Sequence, residues 1–150
     1  MKKINRNIAS ALIISKDGRL LMGMKDPSGG GVYSDCWHIP GGGIEEGEDK
    51  IQALIREVRE EVGINIANSK IALVDDKGSG VSKKIKNGEE VECHMSFLVY
   101  RVDISANFGE IKITLSDDLK KFEWVSLDKL SNYKLTPPSI TLFTRLGWLK

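Results

Sequence analysis

The sequence predicts an α/β fold in which a mixed β-sheet is sandwiched between helices, α/β/α. Three features predict it. An amphipathic helix sits mid-chain between Asp49 and Gly63. Short runs rich in β-branched and aromatic residues stand on both sides of it. A second helix closes the chain, announced by Thr136-Pro137, a cap followed by proline at the first helical position. The length of 150 residues fits one domain, 1–150.

The elements follow in order. Ile8–Ile14 and Leu20–Met24 read as strands joined by the turn Lys16-Asp17-Gly18-Arg19. The glycine-rich stretch Asp26–Gly31 is a loop, either a flexing cover over a site or an idle surface. Strand Trp37–Ile39 enters Pro40-Gly41-Gly42-Gly43, a glycine loop that allows positive φ and close approach of backbone to a ligand. Asp49 with Gln52 makes a capping-box pattern, and Gly63 supplies the residue that ends the helix. Ile66 and Ile71–Val74 suggest a strand, Asp75–Asn87 a polar loop or hairpin end, and Val91–Val102 the longest strand. Ile111–Thr114 and Phe122–Val125 read as short strands. In the last helix Ile140, Leu142, Phe143 and Leu146 are expected to pack inward.

The central helix carries its acids where acids destabilise it. Ile51, Leu54, Ile55, Val58 and Val62 line one arc, and Glu57, Glu60 and Glu61 share an adjacent arc of about 100°. Like charges at that spacing cost roughly 0.2–0.5 kcal/mol per pair. Glu60 and Glu61 also lie at the negative end of the helix dipole. Seven acids and three bases fall between Glu45 and Glu61, whereas the whole chain carries +1. A solvated helix chosen for stability alternates its signs. A bound cation turns both penalties into binding energy. Ala53 falls within the acidic arc and is expected to leave room there for a ligand. Arg56 stands beside it, able to hold a carboxylate by a forked hydrogen bond or to form an ordinary surface pair.

Composition excludes several classes. With 41% hydrophobic and 29% charged residues the chain has an ordinary soluble balance. The near-neutral charge gives no support for binding a nucleic-acid polymer. No run approaches the 18 apolar residues of a membrane span. The basic start, Met1–Asn7, lacks the apolar region of a signal peptide, so a cytoplasmic location is expected. Cys36 and Cys93 show no metal-ligand spacing. The glycine run is neither a P-loop nor a dinucleotide fingerprint, because no Gly-Lys-Ser/Thr or G-x-G-x-x-G follows.

Gly42, Glu48 and the run Arg56-Glu57-Val58-Arg59-Glu60-Glu61-Val62-Gly63-Ile64 match all nine fixed positions of a 23-residue pattern, G-x5-E-x7-R-E-U-x-E-E-x-G-U with U aliphatic. On this box, 42–64, and on Trp37-His38-Ile39-Pro40-Gly41 leading into it, the chain resembles the Nudix hydrolases. The resemblance implies the Nudix fold and hydrolysis of a nucleoside diphosphate linked to another group, with Mg²⁺ or Mn²⁺ as cofactor. It implies Glu60, Glu61 and the Gly41 carbonyl as metal ligands, and Glu57 as a ligand or as the base that activates water, with Arg56 orienting the acids. A further acid in the family precedes a tryptophan by six residues; here that residue is Asp118, shorter than the usual Glu. Lys25, where the family often has a basic residue, is a candidate phosphate contact. His38 faces away from Trp37 and Ile39 and is a candidate base or phosphate contact, or else a satisfied histidine. Glu48 reads as structural rather than ligating.

Phe97–Tyr100, Asp103–Asn107, Phe122–Val125, Leu127–Leu130 and Leu135–Ile140 look like bacterial Nudix triphosphatases acting on pyrimidine deoxynucleotides. ADP-ribose-cleaving subfamilies commonly have a proline beyond the box, and none stands between Pro40 and Pro137. The expected reaction is thus a (deoxy)nucleoside triphosphate going to monophosphate and pyrophosphate. The alternatives are an oxidised-purine triphosphatase, a nucleotide-sugar hydrolase or a non-catalytic nucleotide sensor. The expected partner is a small nucleotide, with a homodimer left open.

Overall fold

The computed structural model describes residues 2–25, 35–116 and 119–149. Their strands form one sheet: β1 (Lys2–Ile14), β2 (Arg19–Lys25), β3 (Trp37–His38), β4 (Gly41–Gly43), β5 (Lys70–Asp75), β6 (Ser79–Lys86), β7 (Glu89–Asp103) and β8 (Leu119–Ser126). Helices α1 (Lys50–Val62) and α2 (Pro137–Arg145) pack on it. The central order is β3-β2-β1-β7-β5, with β4 on β1, β6 on β7 and β8 on β2. β1 and β7 run parallel from Lys2↔Val91 to Ile14↔Asp103 and form the spine. The remaining named pairs are antiparallel, which makes the sheet mixed.

Alternation along β1 sends successive side chains to opposite faces. Ala9, Ala11 and Ile13 meet Leu54, Val58 and Val62 of α1. Leu12 and Ile14 meet Leu142 and Phe143 of α2. Both faces of the central strands are therefore covered by helix, and the layering is α/β/α. Phe143, the largest fully buried side chain among the described residues, anchors the second core. Ile140 departs from expectation: it is 46% exposed, because its position on a nine-residue helix points past the core rather than into it.

Four further expectations are corrected. The segment 75–87 is not loop throughout, since Ser79–Lys86 is strand β6, paired to β7 from Ser79↔Ser96 to Lys86↔Glu89. Its lysines and glycine carry little strand preference, and the ladder to β7 supplies what propensity lacks. Ile111–Thr114 is not a strand. The amides of Thr114 and Ser116 instead donate to the Val62 and Glu61 carbonyls, at 2.9 and 3.0 Å, and so satisfy the open end of α1. Gly41–Gly43 is a paired strand rather than a loop, with register Ile8↔Gly43, Ala9↔Gly42 and Ser10↔Gly41. Ala53 is fully buried and leaves no room for a ligand. The loop Asp26–Gly31 lies outside the described residues.

Helix α1 is positioned from both ends. The Asp49 carboxylate accepts from the Ile51 and Gln52 amides at 3.2 and 3.4 Å, and the Gln52 side chain accepts from the Asp49 amide. Gly63 ends the helix at φ 76°, a left-handed conformation that suits glycine.

Candidate active site

Strand β4 and helix α1 face one another across a close contact, and the glycines permit it. A β-carbon on Gly42 would overlap the Glu57 carboxyl group. One on Gly41 would meet the Ala9 carbonyl oxygen at 2.5 Å and the Ser10 Cα at 2.7 Å. The Gly41 amide donates to Glu61 Oε1 at 3.3 Å, tying the last turn of the helix to the strand.

Arg56 is the hub of the acid cluster. Its Nε and Nη2 donate to the two oxygens of Glu48 at 2.7 and 2.8 Å, a forked pair. Nη1 donates to Glu57 Oε1 at 2.9 Å and to Glu60 Oε2 at 3.3 Å. Nη2 also donates to the Gly43 carbonyl at 3.0 Å. One guanidinium thus joins the start of the box, the helix and the glycine strand. Its pKa is driven upward, first by the Glu48 hydrogen bonds, so it stays charged. Glu48 closes the loop by accepting from the Glu45 amide at 3.1 Å.

The two acids beside Arg56 are pushed in opposite directions. The Arg56 hydrogen bonds lower the Glu48 carboxyl from 4.5 to about 2. Burial raises that of Glu57 despite the same guanidinium. A depressed carboxyl contributes stability above its unfolded value, and that contribution is lost as pH falls through its folded value. Glu48→Gln is therefore expected to flatten the loss of stability between pH 4.5 and about 2, measured by denaturant melts across that range. An unchanged acid limb would show that the Arg56–Glu48 fork contributes nothing there.

The other candidates lie apart from this hub or outside the described residues. His38 pairs with Gly23 across β3 and β2, and its Nδ1 is 3.0 Å from the Ile39 carbonyl. Among the described residues its Nε2 is buried without a partner, and burial lowers its pKa, so the ring is neutral at pH 7. Lys25 is exposed at the end of β2. Asp118 lies outside the described residues. Sequence reasoning missed the reach of Arg56 to the Gly43 carbonyl and the role of segment 114–116 as the cap of α1. No spacing rule signals either, since both join residues from separate elements.

A helix that sets Glu57 and Glu61 against a glycine strand, with Glu60 joined to them through Arg56, on a mixed sheet covered on both faces, has the arrangement of a phosphoanhydride hydrolase of the Nudix type. The NUDIX domain family model matches residues 4–146. The chain is 33% identical over 130 residues to the nucleoside triphosphatase NudI of Escherichia fergusonii, covering 87% of this chain and 88% of that one. NudI of Escherichia coli K12 matches to the same extent, 33% over 130 residues. Among solved structures, the MutT protein from Methanosarcina mazei Go1 superimposes with a TM-score of 0.69 at 23% identity, covering 98% of this chain and 96% of that one. The MutT Nudix hydrolase from Burkholderia pseudomallei gives 0.60 at 27%, covering 93% and 96%. The chain belongs to the Nudix family, and it is a MutT-like Nudix pyrophosphohydrolase.

Enzymes of this family generally need a divalent cation and act on small nucleotides. The groups here are of the class a hard ion takes: the carboxylates of Glu57 and Glu61 lie beside the backbone of the glycine strand. A cationic nitrogen of Arg56 already stands between Glu57 and Glu60, so the pocket favours positive charge. Among the described residues no three acidic, cysteine or histidine side chains close into a cage. An ion such as Mg²⁺ keeps several waters, takes substrate phosphate oxygens and asks for only one or two protein carboxylates. Among the described residues no helix is long and apolar enough to cross a membrane.

Proposed function

We propose that the protein hydrolyses a (deoxy)nucleoside triphosphate to the monophosphate and pyrophosphate, with Mg²⁺ or Mn²⁺ bound by Glu60, Glu61 and the Gly41 carbonyl, with Glu57 as the base that activates water rather than as a further ligand, and with the whole chain acting as one catalytic domain. The observation that carries this reading is the carboxylate cluster of α1 held against β4 by Arg56. Kinship with proteins named nucleoside triphosphatase supports the substrate class.

When bound, the ion polarises the phosphoryl oxygens, lowers the pKa of a water and neutralises the leaving group. The protein's own part is positioning and proton handling. Arg56 fixes the carboxylates of Glu57 and Glu60 and prevents their mutual repulsion from splaying them. Glu57, with its carboxyl raised by burial, accepts a proton more readily than an exposed glutamate does. Glycine at 42 lets that carboxyl lie against the peptide backbone. His38 and Lys25 are the proposed contacts to the nucleotide, His38 as a neutral ring and Lys25 as a cation. Asp118 is proposed to assist the metal site, in a cytoplasmic enzyme.

The test is a panel of nucleoside triphosphates and nucleotide sugars, assayed with Mg²⁺ for monophosphate and pyrophosphate. Calorimetry of Mg²⁺ uptake, with a nonhydrolysable triphosphate present, accompanies it. Expected are pyrophosphate release from triphosphates and ion uptake that disappears in Glu60→Gln and Glu61→Gln. Ion uptake undiminished in both variants, or nucleotide binding with no product from any member of the panel, overturns the reading.

A further inference from the structure

We propose that Arg6 is a substrate-positioning residue that holds the anionic phosphate tail of the nucleotide from the side of β4 opposite Glu57; this rests on the function proposed above. Three observations carry it. First, the Arg6 guanidinium lies against Gly43: a β-carbon at that glycine would overlap Nη2 and crowd Cζ at 2.6 Å and Nε at 3.2 Å. Glycine at 43 thus keeps open the space that the Arg6 head fills. Second, the two sides of β4 are chemically distinct. Gly42 presents its open side to the Glu57 carboxyl, and its neighbour Gly43 presents the opposite side to Arg6. A strand of three glycines therefore separates a negative wall from a positive one, and β4 pairs only with β1 among the described residues.

Third, the two arginines beside β4 differ in commitment. Arg56 is saturated by Glu48, Glu57, Glu60 and the Gly43 carbonyl. Arg6 is exposed, and among the described residues no carboxylate pairs with it. A fork of guanidinium donors matches the oxygens of a phosphate group. A phosphate chain laid along the free side of the glycine strand meets the ion-binding acids on one flank and Arg6 on the other. The acids and their ion engage the scissile anhydride, and Arg6 takes a phosphate beyond it. Among the described residues Arg6 has no hydrogen bond or ion pair to Glu48, Glu57 or Glu60, so it acts on how the tail is held rather than on proton transfer.

The test is binding of a nonhydrolysable nucleoside triphosphate and of the corresponding monophosphate, each with Mg²⁺, to the full chain and to Arg6→Ala, Arg6→Gln and Gly43→Ala. A charge-assisted hydrogen bond contributes about 1.5–3 kcal/mol, which is roughly 10–100-fold in affinity. Arg6→Ala is expected to weaken the triphosphate by about that factor and to leave the monophosphate within about twofold. Gly43→Ala is expected to weaken it in the same direction by displacing the guanidinium. The double variant Arg6→Ala/Gly43→Ala should be no weaker than Arg6→Ala alone, a non-additivity that marks one shared interaction. In turnover the loss should appear in KM more than in kcat. Arg6→Gln keeps the length of the side chain and gives the same comparison if alanine disturbs the strand. Equal triphosphate affinity in the full chain and Arg6→Gln, with turnover intact, overturns the Arg6 proposal alone. Equal losses for triphosphate and monophosphate also overturn it, by placing Arg6 at the nucleoside. A full chain that binds no nucleotide overturns the proposed function first.

Discussion

Glu57→Gln is expected to lower the rate of pyrophosphate release by about 10²–10⁴-fold, the range for loss of a general base. The substitution keeps the size and the hydrogen-bonding oxygen of the side chain and removes only its ability to take a proton and to carry charge. The fold should not suffer. Burial raises the Glu57 carboxyl, so its ionised form is disfavoured in the folded protein. By linkage, a raised group contributes stability that is present at low pH and lost as pH rises through its folded value. At pH 7 the ionised Glu57 is therefore a burden, and the glutamine variant should melt no lower than the parent. Turnover by Glu57→Gln equal to the parent's would remove Glu57 from the chemistry. A lower melting temperature at pH 7 would show that the Arg56 contact outweighs burial.

Gly42→Ala is expected to cost about 10²-fold in turnover, the penalty for displacing a catalytic group by about 1 Å. The new methyl group falls on the Glu57 carboxyl. That carboxyl is the far end of a flexible side chain, so it yields and α1 does not have to move. Stability should therefore change little while activity collapses, as read by a thermal melt beside a pyrophosphate assay. Gly41→Ala makes the contrast. Its methyl group meets the Ala9 carbonyl and the Ser10 Cα, which are backbone and cannot swing aside. That variant should lose stability together with activity, by roughly 1–3 kcal/mol for overpacking. Full activity in Gly42→Ala would show that Glu57 need not lie against the strand.

Much of this site is legible in the sequence because it is local. The helix from the Asp49 cap to Gly63 needs only capping chemistry and a 3.6-residue period, and the acid arc follows from spacing alone. The core faces of β1 and α1 are written in the same periodicities. What sequence reasoning misread depends on partners distant along the chain. β6 exists through its ladder to β7, not through the preferences of Ser79–Lys86. Gly41–Gly43 looks like a loop by composition and becomes a strand because β1 offers it a free edge. Ala53 sits within the acidic arc on a helical wheel, yet it is fully buried, because the core reaches further round α1 than its large apolar residues indicate. The 111–116 segment carries strand-forming residues, but the open carbonyls of α1 claim its amides first.

The parallel pairing of β1 with β7, from Lys2↔Val91 to Ile14↔Asp103, has a consequence for how the chain comes off the ribosome. β1 cannot find its main partner until some ninety further residues are made. At about 5–20 residues per second that is a wait of roughly 5–20 s. Until then the apolar run Ile8-Ala9-Ser10-Ala11-Leu12-Ile13-Ile14 has only β2, β4 and α1 to shelter it, and its edge toward β7 stays open. Nascent protein is most exposed to aggregation, and most in need of a chaperone's hold, during those seconds rather than after release.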